Sequence, residues 1–161
     1  MYLLKIYWEN YEGGERKTKN NLVSIDASCL IAIQADEPLN KRFQNLLKTK
    51  WKGYCSEMAI LETFYILCRK FTWKIAKTKI NALKESHIIQ IEPINNLINR
   101  ASQLKCQRPI AIADCLTIAL AESINGKAIF YHKEKELENA MENELFDVEL
   151  IFFDEFVNEN S

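Results

Sequence analysis

Two hydrophobic periodicities alternate along this chain, and that alternation narrows the possible folds more than any other feature. Short apolar or β-branched runs read as strands: 22–25 (Leu-Val-Ser-Ile), 53–56 (Gly-Tyr-Cys-Ser), 87–91 (His-Ile-Ile-Gln-Ile), 127–132 (Lys-Ala-Ile-Phe-Tyr-His) and 148–153 (Val-Glu-Leu-Ile-Phe-Phe). Between them lie stretches with helical spacing, over about 27–35, 38–49, 57–70, 73–84, 94–105, 111–124 and 134–143. Ser56 is placed to cap the helix that follows it, Pro109 precedes another helix, and Asn125-Gly126 closes that one. Strands separated by helices need crossover connections. The expectation is therefore an α/β fold in three layers, a mostly parallel central sheet with helices on both faces.

The 161 residues suit one domain, expected over 22–157. Residues 1–21 read as an N-terminal extension. Leu3–Trp8 is a possible extra strand, and 11–20 a link; residues 158–161 form a short tail. Four glycines and three prolines argue against a turn-rich all-β design. No stretch approaches the length of a membrane span, and the first residues lack a charged leader and a cleavage site. Five cysteines occur, at 29, 55, 68, 106 and 115, all in apolar surroundings and none in a Cys-x-x-Cys pair; with only two histidines, a zinc ribbon is excluded. They read as small buried hydrophobes of a cytoplasmic protein.

A net charge of −1 conceals an asymmetry, because residues 134–161 hold ten acids and one base. Between Glu62 and Glu85 there is no acid, while Arg69, Lys70, Lys74, Lys77, Lys79 and Lys84 occur, interleaved with Phe71 and Trp73. Such a run suits either a solvated helix face or a surface that follows a phosphate backbone and stacks bases.

Three apolar windows carry carboxylates that they have no evident structural need for. Asp26 is the only charge in 21–35 and Asp114 the only one in 109–121. Glu62 lies on the flank of an apolar helix face within 54–68. Each has an ordinary explanation: Asp26 as a helix cap, Asp114 as a first-turn partner of the helix dipole, Glu62 as a solvated helix residue. Yet all three fall where a parallel sheet gathers its strand ends. Two carboxylates about 5 Å apart repel by roughly 3 kcal/mol at an effective dielectric near 20. A converging set requires a cation, and hard oxygen ligands select Mg²⁺ or Mn²⁺. Such an ion supports hydrolysis of a phosphodiester.

The motifs around these acids resemble those of PIN-domain nucleases. Val23-Ser-Ile-Asp26-Ala-Ser28 is similar to the family's opening motif. Ser56 with Glu62-Thr-Phe-Tyr-Ile-Leu-Cys-Arg69 is similar to the second, and Ile112-Ala-Asp114-Cys-Leu-Thr-Ile-Ala119 to the third. The fourth, usually Thr/Ser-x-Asp after a strand, is matched by His132-Lys133-Glu134, with Glu136 as a neighbour of poorer spacing. The likeness runs from about residue 22 to 155 and is nearest to the VapC-type prokaryotic toxins. It implies a PIN-like fold and a Mg²⁺- or Mn²⁺-dependent ribonuclease acting on single-stranded RNA. Asp26, Glu62 and Asp114 would bind the metal, Glu134 would assist, and Ser28 would hydrogen-bond near the metal or its waters. It further implies a homodimer and a small antitoxin partner, with Arg69, Lys70, Lys74 and Lys77 guiding the RNA backbone.

Other readings remain. The altered fourth motif suits a catalytically weak PIN-like module that binds RNA or protein. A receiver domain needs an early acidic pair, and a haloacid-dehalogenase-like phosphatase needs Asp-x-Asp; the chain has neither. A serine hydrolase lacks its Gly-x-Ser-x-Gly turn, and His87, at the head of a strand, reads as structural.

Overall fold

The computed structural model describes residues 21–34 and 40–159, with side chains as far as Phe156. The expected strand at 3–8, the link at 11–20, and residues 35, 38 and 39 of the first two helices lie outside the described residues.

Five parallel strands form one sheet in the order β3-β2-β1-β4-β5. They are β1 (Leu22–Ile25), β2 (Lys52–Ser56), β3 (Ile89–Glu92), β4 (Lys127–Phe130) and β5 (Leu150–Phe152). The helices are α1 (Ala27–Gln34), α2 (Asn40–Thr49), α3 (Glu57–Lys70), α4 (Trp73–Glu85), α5 (Ile98–Gln107), α6 (Ile112–Ser123), α7 (Lys135–Asn143) and α8 (Phe153–Glu159). The expected α/β architecture holds. Strand pleating sends Val23, Ile25, Cys55, Ile89 and Ile129 to one face, where they pack with Leu30, Phe43, Leu67, Ile80 and Phe153 from the helices. Tyr54, Ala128, Phe130 and Phe152 point to the other face, against Leu104, Leu116, Leu120 and Leu137. From β1 the chain winds outward through β2 and β3, then returns to place β4 on the opposite flank. The β1–β4 boundary is thus the topological switch point, where the carboxyl ends of parallel strands leave a crevice.

Several local signals act as expected. The Ser56 hydroxyl accepts the Ala59 N–H at 3.1 Å and caps α3. Asn125 adopts φ 50° after α6, and Gly126 N–H returns to the Ala121 carbonyl at 2.8 Å. Gly126 is needed for close approach, since a Cβ there would lie 2.5 Å from the Leu22 carbonyl oxygen.

Elsewhere the boundaries move. The helix expected over 94–105 is a single 3-10 turn, Ile94–Asn96, followed by α5. Pro93 starts the turn, and the exposed Glu57 carboxylate accepts the Ile94 N–H at 3.2 Å. The register of Leu97, Ala101 and Leu104 buries one side of α5. His87 does not head a strand: it turns the chain at φ 52° before β3. The last strand is shorter than 148–153, because Phe153 begins α8 by packing edge-on to Phe43 with ring centroids 4.7 Å apart. All five cysteines are free. Cys29, Cys55 and Cys115 are buried as expected, but Cys68 is half-buried and Cys106 exposed. Among the described residues no helix is long and apolar enough to cross a membrane.

Candidate active site

Asp26 follows the last residue of β1, and its backbone N–H donates to the Ile129 carbonyl of β4 at 2.9 Å. That bond holds the residue at the switch point. Its carboxylate is also the cap of α1: Oδ2 accepts the Ser28 N–H at 2.8 Å, and Oδ1 accepts the Thr117 hydroxyl at 3.3 Å. The capping role and the site role are therefore carried by one side chain. Both oxygens are held in place, and the residue is only 8% exposed.

Ser28 ties the same corner to the neighbouring strand, its Oγ accepting the Tyr131 N–H at 3.1 Å. The hydroxyl expected to serve a metal or its waters thus spends an acceptor position on backbone, which fixes the β1–α1 turn against the end of β4.

Asp114 sits in the first turn of α6, a helix buried from Asp114 to Ala121 by its small and apolar residues. Burial is the main reason its carboxyl group is pushed up to about 7, followed by the charges of Asp26 and Glu134; a hydrogen bond to the Ala111 backbone pulls the other way, and Glu62 adds a smaller upward push. One oxygen, Oδ2, is buried without any hydrogen-bond partner. An unpartnered buried carboxylate oxygen is costly, and this one marks a place where the fold leaves an acceptor unused.

Glu62 lies in the second turn of α3 and is half-buried. Its carboxyl group is also raised, first by burial and then by Asp26 and Glu134. Glu134 is exposed and sits at the N-cap position of α7 without making a side-chain cap. Its charge is among those that raise the Asp114 and Glu62 carboxyl groups. Lys133 points elsewhere: its Nζ is 3.4 Å from Glu138 and 5.7 Å from the centre of the Phe152 ring. His132 takes the hydroxyl position of the fourth motif, but its Nδ1 meets Asp154 Oδ2 at 2.6 Å.

Four carboxylates from four elements therefore share one electrostatic field at the carboxyl end of the sheet. They do not form a finished cage: among the described residues, no three His, Cys, Asp or Glu side chains stand close enough together to hold a metal ion as they lie. In chemistry the set suits a hard divalent cation, being all oxygen, mutually repelling, and possessed of an unused buried acceptor at Asp114. Glu62 and Glu134 are the two acids of the set with solvent around them.

The basic residues lie further along α3 and on α4. Arg69 and Lys70 end α3, Lys74 and Lys77 lie on α4, and all four are exposed. Sequence reasoning assigned no role to Thr117 or Asp154. Thr117 was detectable as the one polar side chain on the buried part of α6 after Asp114, one turn further on. Asp154 had no such signal, because its approach to His132 depends on α8.

A PIN domain family model matches residues 23–140. Comparison with curated proteins gives no match. Among solved structures, the crystal structure of Mycobacterium tuberculosis VapC20, a sarcin-ricin-loop-cleaving toxin, is similar with a TM-score of 0.57. It is 18% identical, and the match covers 74% of this chain and 94% of that one. PAE2754 from Pyrobaculum aerophilum is similar with a TM-score of 0.52 and 16% identity, over 86% of this chain and 87% of that one. The family match spans the Asp26, Glu62, Asp114 and Glu134 motifs in order, the structural likeness gives the same fold, and the chain belongs to the PIN domain family.

Proposed function

We propose that this PIN domain is a Mg²⁺- or Mn²⁺-dependent ribonuclease that hydrolyses phosphodiesters of single-stranded RNA. The observation that carries the reading is the shared field of Asp26, Glu62, Asp114 and Glu134, with the unpartnered Asp114 Oδ2 inside it. Asp26 and Asp114, both buried, are the anchored ligands; Glu62 closes the set and Glu134 assists from the exposed side. A bound divalent cation supplies polarisation of the phosphodiester and a water of lowered pKa. Thr117 and the Ser28 N–H keep the Asp26 carboxylate aimed, and Ser28 Oγ holds the β4 end in register. Arg69, Lys70, Lys74 and Lys77 steer the RNA backbone toward the acids. A toxin role with a small antitoxin partner and a homodimeric state follows from the resemblance of the motifs and is part of this proposal, and the five free cysteines suit the cytoplasm.

A second reading is a PIN scaffold that binds RNA or protein without cutting. It is favoured by the open arrangement of the acids and by Glu134 standing in the fourth motif. Incubating a panel of single-stranded RNAs with wild type and Asp26→Asn in Mn²⁺ separates the two. Asn caps helices as well as Asp, so this substitution spares α1. Cleavage by wild type alone supports the nuclease. Binding with no cleavage by either protein favours the scaffold.

A further inference from the structure

We propose that the corner between α3 and α4 is a stacking platform for unpaired bases of the RNA, with Trp73 at its centre; this rests on the ribonuclease reading above. Trp73 is the first residue of α4 and is 62% exposed despite its large apolar ring system. It is not loose. Its indole lies on the Phe64 ring with centroids 4.6 Å apart and planes 17° from parallel, and Phe64 packs against the core. Thr72 caps the helix at that residue, its hydroxyl accepting the Ile75 N–H at 3.3 Å. One ring is thus held flat by another at a solvent-facing corner.

A path leads there from the acids. On a helix of 3.6 residues per turn, Glu62, Tyr65 and Arg69 lie along one flank of α3. Tyr65 is about 4.5 Å and Arg69 about 10.5 Å further along the axis than Glu62. Tyr65 is 44% exposed, and the Arg69 guanidinium stands 5.1 Å from its ring centre. Beyond Arg69 the chain turns the corner to Trp73, among exposed Lys70, Lys74 and Lys77. Among the described residues none of these lysines enters an ion pair. Exposed flat rings flanked by cations outside any ion pair suit stacked bases on a tracked phosphate backbone. Trp, Tyr and Arg also anchor protein interfaces, but a stretch with six cations and no acid from Thr63 to Lys84 favours a polyanion as the occupant.

The test uses the full chain carrying Asp114→Asn, in EDTA, so that nothing is cut. Its probes are a fluorescein-labelled single-stranded RNA of mixed sequence and an abasic ribose-phosphate oligomer of equal length. The parent should bind the base-bearing strand more tightly than the abasic one. Trp73→Ala should weaken the first by about 5- to 150-fold and leave the second unchanged, and Trp73→Phe should recover most of the loss. Replacing both Lys74 and Lys77 with Ala should flatten the log–log salt slope by roughly 1.4, while Trp73→Ala leaves that slope alone. Equal affinity of the parent for the two strands, or undiminished binding by Trp73→Ala, overturns the proposal. So does a lower sedimentation mass for Trp73→Ala with unchanged RNA binding, which would assign the corner to a protein contact. If Trp73→Ala fails to fold, the parent's abasic comparison and Trp73→Phe decide. Absence of cleavage by wild type in Mn²⁺ would defeat the nuclease reading separately, because binding is measured without catalysis.

Discussion

Asp114→Asn should change how the metal-free protein responds to pH, and the structure sets the size of the change. Asp114 is 8% exposed, and its carboxyl group is pushed from 3.8 up to about 7 by burial and then by Asp26 and Glu134. In the unfolded chain it titrates near 4. Below that pH both states carry the proton and the residue costs nothing. As pH rises, the unfolded state releases its proton first, so stability falls by about 1.4 kcal/mol per unit until the folded group also ionises near 7. The total is about 4 kcal/mol, fully developed by pH 8. Asn cannot ionise. Its amide placed at the unpartnered Oδ2 position carries a desolvation cost, but that cost is the same at every pH. Glu62 is raised by burial, Asp26 and Glu134, none of which the substitution removes, so its contribution cancels between the two proteins. The difference in stability, mutant minus wild type, should therefore rise by about 4 kcal/mol between pH 4 and pH 8. For a chain of this size that is a relative Tm gain of roughly 8–16 °C. Thermal melts in EDTA across that range measure it. Parallel curves for the two proteins, whatever their offset, would refute the shared-field account of Asp114.

Adding Mn²⁺ at about one hundred times its dissociation constant should stabilise wild type by about 2.7 kcal/mol, and Asp114→Asn should lose most of that gain in the same melts. Glu134→Gln should diminish the Mn²⁺ response and Glu136→Gln should leave it intact, since Glu134 is one of the charges that raise Asp114 and Glu62; equal effects would move the fourth acid. Gly126→Ala should destabilise the fold by roughly 1–3 kcal/mol in urea titration, because its Cβ would meet the Leu22 carbonyl oxygen, which is backbone and cannot swing aside. Thr117→Val should cost about 1 kcal/mol of stability and reduce cleavage by freeing Asp26 Oδ1, with wild-type rates in that variant counting against a positioning role.

The parallel sheet was legible because each strand is a short apolar run bounded by helical spacing, and because crossover topology leaves few ways to connect such runs. The acids were legible for a related reason: Asp26 and Asp114 stand alone in windows otherwise free of charge. What escaped the sequence depends on contacts between distant elements. After Pro93, the Ile94 N–H is held by Glu57, thirty-seven residues earlier in the chain. Helix α8 begins where Phe153 finds Phe43, and only then does Asp154 reach His132. Local patterns identify which residues carry charge into the core; they do not say which of them the fold holds still.

That last distinction is the one that matters for function. Asp26 is fixed through both oxygens and its backbone N–H, and Asp114 is fixed by burial on a helix with no exposed residue from Asp114 to Ala121. Glu62 and Glu134 have solvent around them and an extra methylene each. On the nuclease reading proposed above, two rigid acids and two adaptable ones would form a site that a divalent cation could draw together. On that reading the fixed pair would set where the ion sits, and the adaptable pair would complete its ligands. Glu in place of Asp in the fourth motif is consistent with that division, because the longer side chain can reach inward from the exposed start of α7 while the backbone stays where α7 begins.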